Sequence, residues 1–354
     1  MGQTIQVLLK LGQGNWQTGF PSVMVQAVTV GQTSTAASLN QTIALQLSGS
    51  LPAAPELARL YGEWRLVYQG LSQRLALRRG LRAIEIEPEG ITHVSPAALE
   101  QLTRQIKQAL DHWLESESFR PVDRRLRTQL APTDEIRLIV ETADPVLRRF
   151  PWQLWQFFSD YPLAEVAVSA LEYGRSSRPR PARQQVRILA VLGNSEGIDV
   201  QQDRAMLAQL SDAEPVFLVE PTRAELDQQL WDEQGWDMLF FSGHSASQPD
   251  GSTGEIAINA QEQLSVAQLK HALTAAIGRG LQFAIFNSCD GLGLARDMAD
   301  LNIPQLVVMR EPVPDRVAQT FLRHLLTAFA GGQSFYCAVR QARAKLQGLE
   351  SQFP

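Results

Sequence analysis

The chain has 354 residues, 44% hydrophobic and 19% charged, the balance of a globular protein with enough core to fold without staples. Its net charge of −5 argues against a nucleic-acid-binding protein, because neutralising phosphates needs a dense basic face. No run of about 18 apolar residues occurs, no signal-peptide pattern opens the chain, and two distant cysteines make no disulfide framework. These exclude a membrane span and a disulfide scaffold, and they point to a reducing cytoplasm where a lone thiol stays reactive.

At roughly 100–200 residues per domain, the length suggests two domains. Ile5–Lys10, Val23–Val30 and Thr42–Ser48 alternate polar and apolar between turn residues, which predicts a small antiparallel sheet. Helical spacing follows over 54–78, 96–117 and about 121–130, with Ser95-Pro96 as an N-cap and first-turn proline. Residues 135–141 (EIRLIVE) read as a strand, and the aromatic-dense Phe150–Phe158 reads as core. The Arg-, Pro- and Ser-rich stretch 172–185 reads as an exposed linker.

Beyond it, apolar strands at 186–192, 215–219, 237–241, 281–287 and 305–309 alternate with helices at 199–210, 222–231, 264–277 and 291–300. Such alternation means βαβ units and a parallel sheet covered on both faces. Helices at 314–330 and 333–348 follow. The expected organisation is an N-terminal α+β region over 1–130, a connecting segment over 131–171 that docks onto the second domain, the linker over 172–185, and an α/β domain over 186–354.

Ligands of an open α/β sheet sit beyond the carboxyl ends of its strands. The strand ending MLFF runs into Ser242-Gly243-His244, and the strand FAIF runs into Asn287-Ser288-Cys289-Asp290-Gly291. If those strands are neighbours, His244 and Cys289 share one crevice. A thiol of pKa about 8.5 is only a few per cent thiolate at neutral pH, so an imidazole in hydrogen-bond reach activates it. The helix starting near Gly291 lowers the thiol pKa further. Backbone N–H groups of Gly243 and Cys289 are the candidate oxyanion donors. Asn194 and Ser195, after the first strand, are candidates for lining the same pocket.

FFSGHS, IFNSCDG, PQLVVM, EPVPDRVAQTFLRHLLTAF and SFYCAVRQARAKL, in that order and with the helix after FFSGHS, resemble the CHAT domain over about residues 165–350. That resemblance implies a caspase-like, mostly parallel sheet with helices on both faces, in a clan of cysteine peptidases, and a His244–Cys289 dyad. No third triad member stands out. In separase-like members an acid in the loop after the post-cysteine strand receives a basic P1 side chain, and Asp315 matches it. Asp315 reads equally as a carboxylate at the start of the helix after Pro314. Metacaspases carry Asp two residues before the nucleophile, where this chain has Asn287, so a basic P1 rests mainly on Asp315. The residues before about 130 resemble the leader that precedes CHAT in cyanobacterial-type bacterial proteins.

The function expected is therefore a regulated cysteine endopeptidase acting on a protein or peptide, with an activator or a fused sensor domain as a further partner. It needs no cofactor and no metal: His93, His112, His271 and His324 lack ligand-spaced companions, and Gly193–Gly197 lacks a Walker lysine. Cys337 reads as core. A catalytically silent CHAT-like interaction module is the alternative, and a flavodoxin-like small-molecule binder a third reading. Cleavage of the protein's own Arg175–Arg183 stretch is a further expectation.

Overall fold

The computed structural model describes residues 3–30, 42–78, 95–169, 185–196, 198–247, 254–288, 292–299, 301, 303–311 and 313–349. The linker over 172–185 falls almost wholly outside them, with only Gln185 described, and Cys289, Asp290 and Gly291 lie outside them altogether. Two compact units result: Met1–Leu171 with Ser334–Arg340, and Glu172–Gln333 with Gln341–Pro354.

The first unit is built on β1 (Thr4–Leu11), β2 (Phe20–Thr29) and β3 (Thr42–Leu51), an antiparallel meander as the alternation predicts. Every second residue of β1 is buried, so one face of the sheet turns to the core. α1 (Pro55–Arg78), α2 (Pro96–Leu114) and α3 (Arg120–Arg127) follow. Ser95 caps α2 by accepting from the Ala98 N–H, the partner its position before Pro96 predicts.

Residues 131–171 are not a connecting segment. β4 (Glu135–Glu141) pairs in parallel with β1, and β5 (Ala164–Ser169) in parallel with β4, giving the order β3-β2-β1-β4-β5. The physical reason lies in β4 itself: its strict alternation buries Ile136, Leu138 and Val140 in the same core as Val7 and Leu9. The short helices α4 (Pro145–Arg149) and α5 (Phe157–Asp160) flank the 3-10 turn Trp152–Leu154 between those strands. The aromatic stretch is core, as expected: Phe150, Trp152 and Phe157 are fully buried, in the core of this unit.

The second unit carries a five-stranded, wholly parallel sheet. Its strands are β6 (Val186–Leu192), β7 (Ala213–Val219), β8 (Met238–Ser242), β12 (Phe283–Asn287) and β13 (Gln305–Val308), in the order β13-β12-β8-β6-β7. β8 is buried along its whole length, which is why Met238–Phe241 run apolar without alternation before the buried Ser242. Helices α6 (Val200–Ala208), α7 (Arg223–Leu230), α8 (Val266–Gly278) and α9 (Leu292–Ala299) connect the strands. A small antiparallel sheet of β9 (Ser245–Ser247), β10 (Gly254–Ala257) and β11 (Gln263–Ser265) interrupts the alternation between β8 and α8. α10 (Asp315–Ala330) and α11 (Phe335–Lys345) follow β13. No helix among the described residues is long and apolar enough to cross a membrane.

Candidate functional site

β8 and β12 are neighbours, and their register pairs Ser242 with Asn287, the last residue of each. His244 stands two residues beyond Ser242 and Cys289 two residues beyond Asn287. Because all five strands are parallel, both sequences leave the sheet at the same edge, where such sheets hold their ligands.

His244 is fixed by three separate contacts. Its ring Nε2 stands 2.8 Å from the Glu196 carbonyl oxygen. A carbonyl oxygen only accepts, so Nε2 carries the hydrogen and the neutral ring keeps its lone pair at Nδ1. The His244 N–H donates to Asn194 O at 3.3 Å, and the His244 carbonyl accepts from the Ala257 N–H at 2.9 Å. The Asn194 N–H in turn donates to Ala257 O at 2.9 Å, closing a ring of three backbone hydrogen bonds among the loop after β6, the turn after β8, and β10.

The turn that presents Glu196 is built by the residues expected to line the pocket. Asn194 Oδ1 accepts from the Glu196 N–H at 3.0 Å, and Ser195 O accepts from the Ile198 N–H at 2.9 Å. Gly193 precedes them where no side chain fits: a Cβ there would stand 2.3 Å from Ala257 O. Gly243 has φ +155°, and a Cβ on it would meet the Phe241 ring at 3.1 Å and Asn194 O at 3.2 Å. Its N–H, the candidate oxyanion donor, points at Asn287 O across a long 3.4 Å.

Asn287 and Asp315 come together in one pocket, with Ile198, Gly243, Ser288, Met309, Val313, Ala318 and Gln319 completing its lining. Asp315 is the first residue of α10, behind Pro314 at the cap position. Burial pushes its carboxyl above the usual range, with His244 pulling it back down and Asp199 adding to the rise. Cys289 lies outside the described residues. Cys337, expected in the core, is a half-buried free thiol on α11.

Two participants escaped the sequence reading. The Glu196 carbonyl has no side-chain signature, since every residue carries one. Asp203 did leave a signal: it falls on the buried stripe of α6 with Val200 and Leu207, where an acid is out of place. Its carboxylate is 1% exposed, and Oδ2 accepts from Ser242 Oγ at 2.6 Å and from Asn287 Nδ2 at 2.8 Å. Burial raises its pKa, the two hydrogen bonds lower it, and Asp315 and Asp199 raise it.

Comparison with protein families matches residues 97–352 to the CHAT domain. That span starts well upstream of the segments on which the resemblance rests and takes in α2, α3, β4 and β5. Among solved structures, the crystal structure of the Arg-specific cysteine proteinase gingipain R (RgpB) is similar, at 11% identity over 82% of this chain and 71% of that chain, with a TM-score of 0.40. No curated protein matches the chain.

Proposed function

The chain belongs to the CHAT domain family, and from that premise we propose that it is a cysteine endopeptidase in which His244 activates Cys289. The observation that carries the reading is the His244–Glu196 contact at 2.8 Å. A ring whose Nε2–H is held by a carbonyl oxygen presents Nδ1 as the free base.

His244 Nδ1 takes the Cys289 thiol proton, and the Glu196 carbonyl stabilises the resulting imidazolium. The thiolate attacks the carbonyl carbon of the scissile bond, and the carbonyl oxygen takes the negative charge toward the N–H groups of Gly243 and Cys289. The C–N bond breaks as the imidazolium gives its proton to the departing amine, leaving a thioester. Water, deprotonated by the same Nδ1, hydrolyses the thioester and restores the thiol. Asp315, which lines one pocket with Asn287 and Gly243, supports a basic side chain as the P1 residue.

The test is a panel of Arg-, Lys- and neutral-P1 peptides, with a thiol-directed probe read by peptide mass mapping. Expected are labelling of Cys289, cleavage after Arg or Lys, and a loss of about 10²–10⁴-fold in kcat for His244→Ala. Asp315→Asn is expected to raise KM for Arg-P1 peptides about tenfold or more and leave neutral-P1 peptides alone. An unlabelled Cys289 and an uncut panel, with the biological readout intact in Cys289→Ala, would establish the silent interaction module instead.

A further inference from the structure

A carboxylate in the apolar stripe of a helix is costly unless its acceptor capacity is used. Asp203 uses it in one place: a single oxygen receives Ser242 and Asn287, the paired last residues of adjacent strands. At that point the main-chain ladder is giving out, since the next bond, Gly243 N–H to Asn287 O, is 3.4 Å long. Two residues further on in each strand's sequence stand His244 and Cys289.

Resting on the peptidase reading above, we infer that Asp203 is a positioning residue: a clamp that holds the ends of β8 and β12 together and so sets the spacing of the His244 and Cys289 segments. Its burial separates this role from substrate contact. Asp203 is 1% exposed and is not among the residues that line the pocket, which it meets through its bond to Asn287. Its Oδ2 is committed to two donors within the fold. Its Oδ1 is buried and has no hydrogen-bond partner. The clamp therefore works through acceptance at one oxygen and does not need the negative charge. An amide oxygen at that position accepts the same two bonds, which makes the inference testable by exchanging charge and hydrogen bonding separately.

The experiment compares Asp203→Ala, Asp203→Asn and Ser242→Ala in the full chain. Thermal midpoints and far-ultraviolet circular dichroism establish folding. kcat and KM are measured with Arg-P1 and neutral-P1 peptides, and the Cys289 alkylation rate with iodoacetamide. Asp203→Ala is expected to lower kcat about 10–100-fold on both peptides, the scale of a catalytic misplacement near 1 Å, with KM within about threefold. Asp203→Asn is expected to recover at least about tenfold of that kcat, and alkylation rates to follow the same order. Asp203→Ala/Ser242→Ala is expected to be no worse than Asp203→Ala, because one shared interaction is removed once.

The inference is overturned if Asp203→Asn is as slow as Asp203→Ala, or if a folded Asp203→Ala keeps wild-type kcat. It is also overturned if Asp203→Asn raises KM for the Arg-P1 peptide alone, which would make Asp203 a charge that binds substrate. Should Asp203→Ala not fold, Ser242→Ala, which removes one of the two bonds without touching the pocket lining, carries the same kcat-against-KM test. A wild type that cleaves nothing sinks the peptidase reading, and the alkylation ratio of Asp203→Ala to Asp203→Asn still decides the clamp.

Discussion

The oxygen that orients His244 belongs to the main chain of Glu196, and Asn194 sets its position through an Oδ1 bond to the Glu196 N–H at 3.0 Å. Asn194→Ala is therefore expected to lower kcat about tenfold with KM unchanged, read by steady-state cleavage of a peptide substrate. Asp203 makes a separate prediction about stability. Its folded pKa lies above the unfolded value, mainly through burial, so the folded chain binds more protons between the two values. Its contribution is thus fully present below the unfolded pKa of about 3.9 and is lost as pH rises through the folded one. Asp203→Asn does not titrate, so its stability relative to wild type is expected to rise over that window and to level off above it, in denaturant titrations at stepped pH. The imidazole of the proposed dyad was singled out in the sequence because its residue type and its place after an apolar strand coincide. The groups around it were less legible: the Glu196 carbonyl has no letter of its own, and Asp203, bonded to the ends of β8 and β12 and not to the ring, shows only as an acid within an apolar period.

Elements were legible where their period was long. Continuous apolar runs marked β6 and β8 as strands buried on both faces, and their burial patterns agree. Alternation marked β4 as a strand but carried no information about its partner, so its parallel pairing with β1 emerged only in three dimensions. β9, β10 and β11, at three to four residues each, are too short to show a period at all. Capping chemistry offers a test at this scale. Ser265 and Gln268 form a reciprocal capping box at the start of α8, whose buried Leu269 and Leu273 belong to the second core. Ser265→Ala is expected to cost about 1 kcal/mol, seen as a lower denaturation midpoint with unchanged slope.

At the scale of the molecule, the chain order and the order of packing differ. The first unit extends to Leu171 and then recruits Ser334–Arg340. Ser334 Oγ donates to Glu135 Oε1 at 2.7 Å, Arg137 lies over the Tyr336 ring at 5.3 Å, and Arg340 Nη1 donates to Pro162 O at 2.8 Å. No local pattern in the sequence announces a return over so many residues, because periodicity reports a face and not what covers it. A fragment ending at Leu171 is expected to melt below the corresponding transition of the full chain, and a peptide covering 334–345, supplied in trans, to raise its midpoint in a concentration-dependent way. A fragment that melts unchanged and ignores the peptide would show that these contacts add nothing to the unit.

The ring of backbone bonds linking Asn194, His244 and Ala257 gives the site a dynamic identity of its own. Each of the three amides is held by a carbonyl of another member, so none is released without disturbing the geometry of the rest. In native-state hydrogen exchange they should behave as one cooperative group, sharing a single opening free energy rather than three. The orientation of the His244 ring would then be lost in one step, and the rate of that opening would limit how long the imidazole keeps its aim.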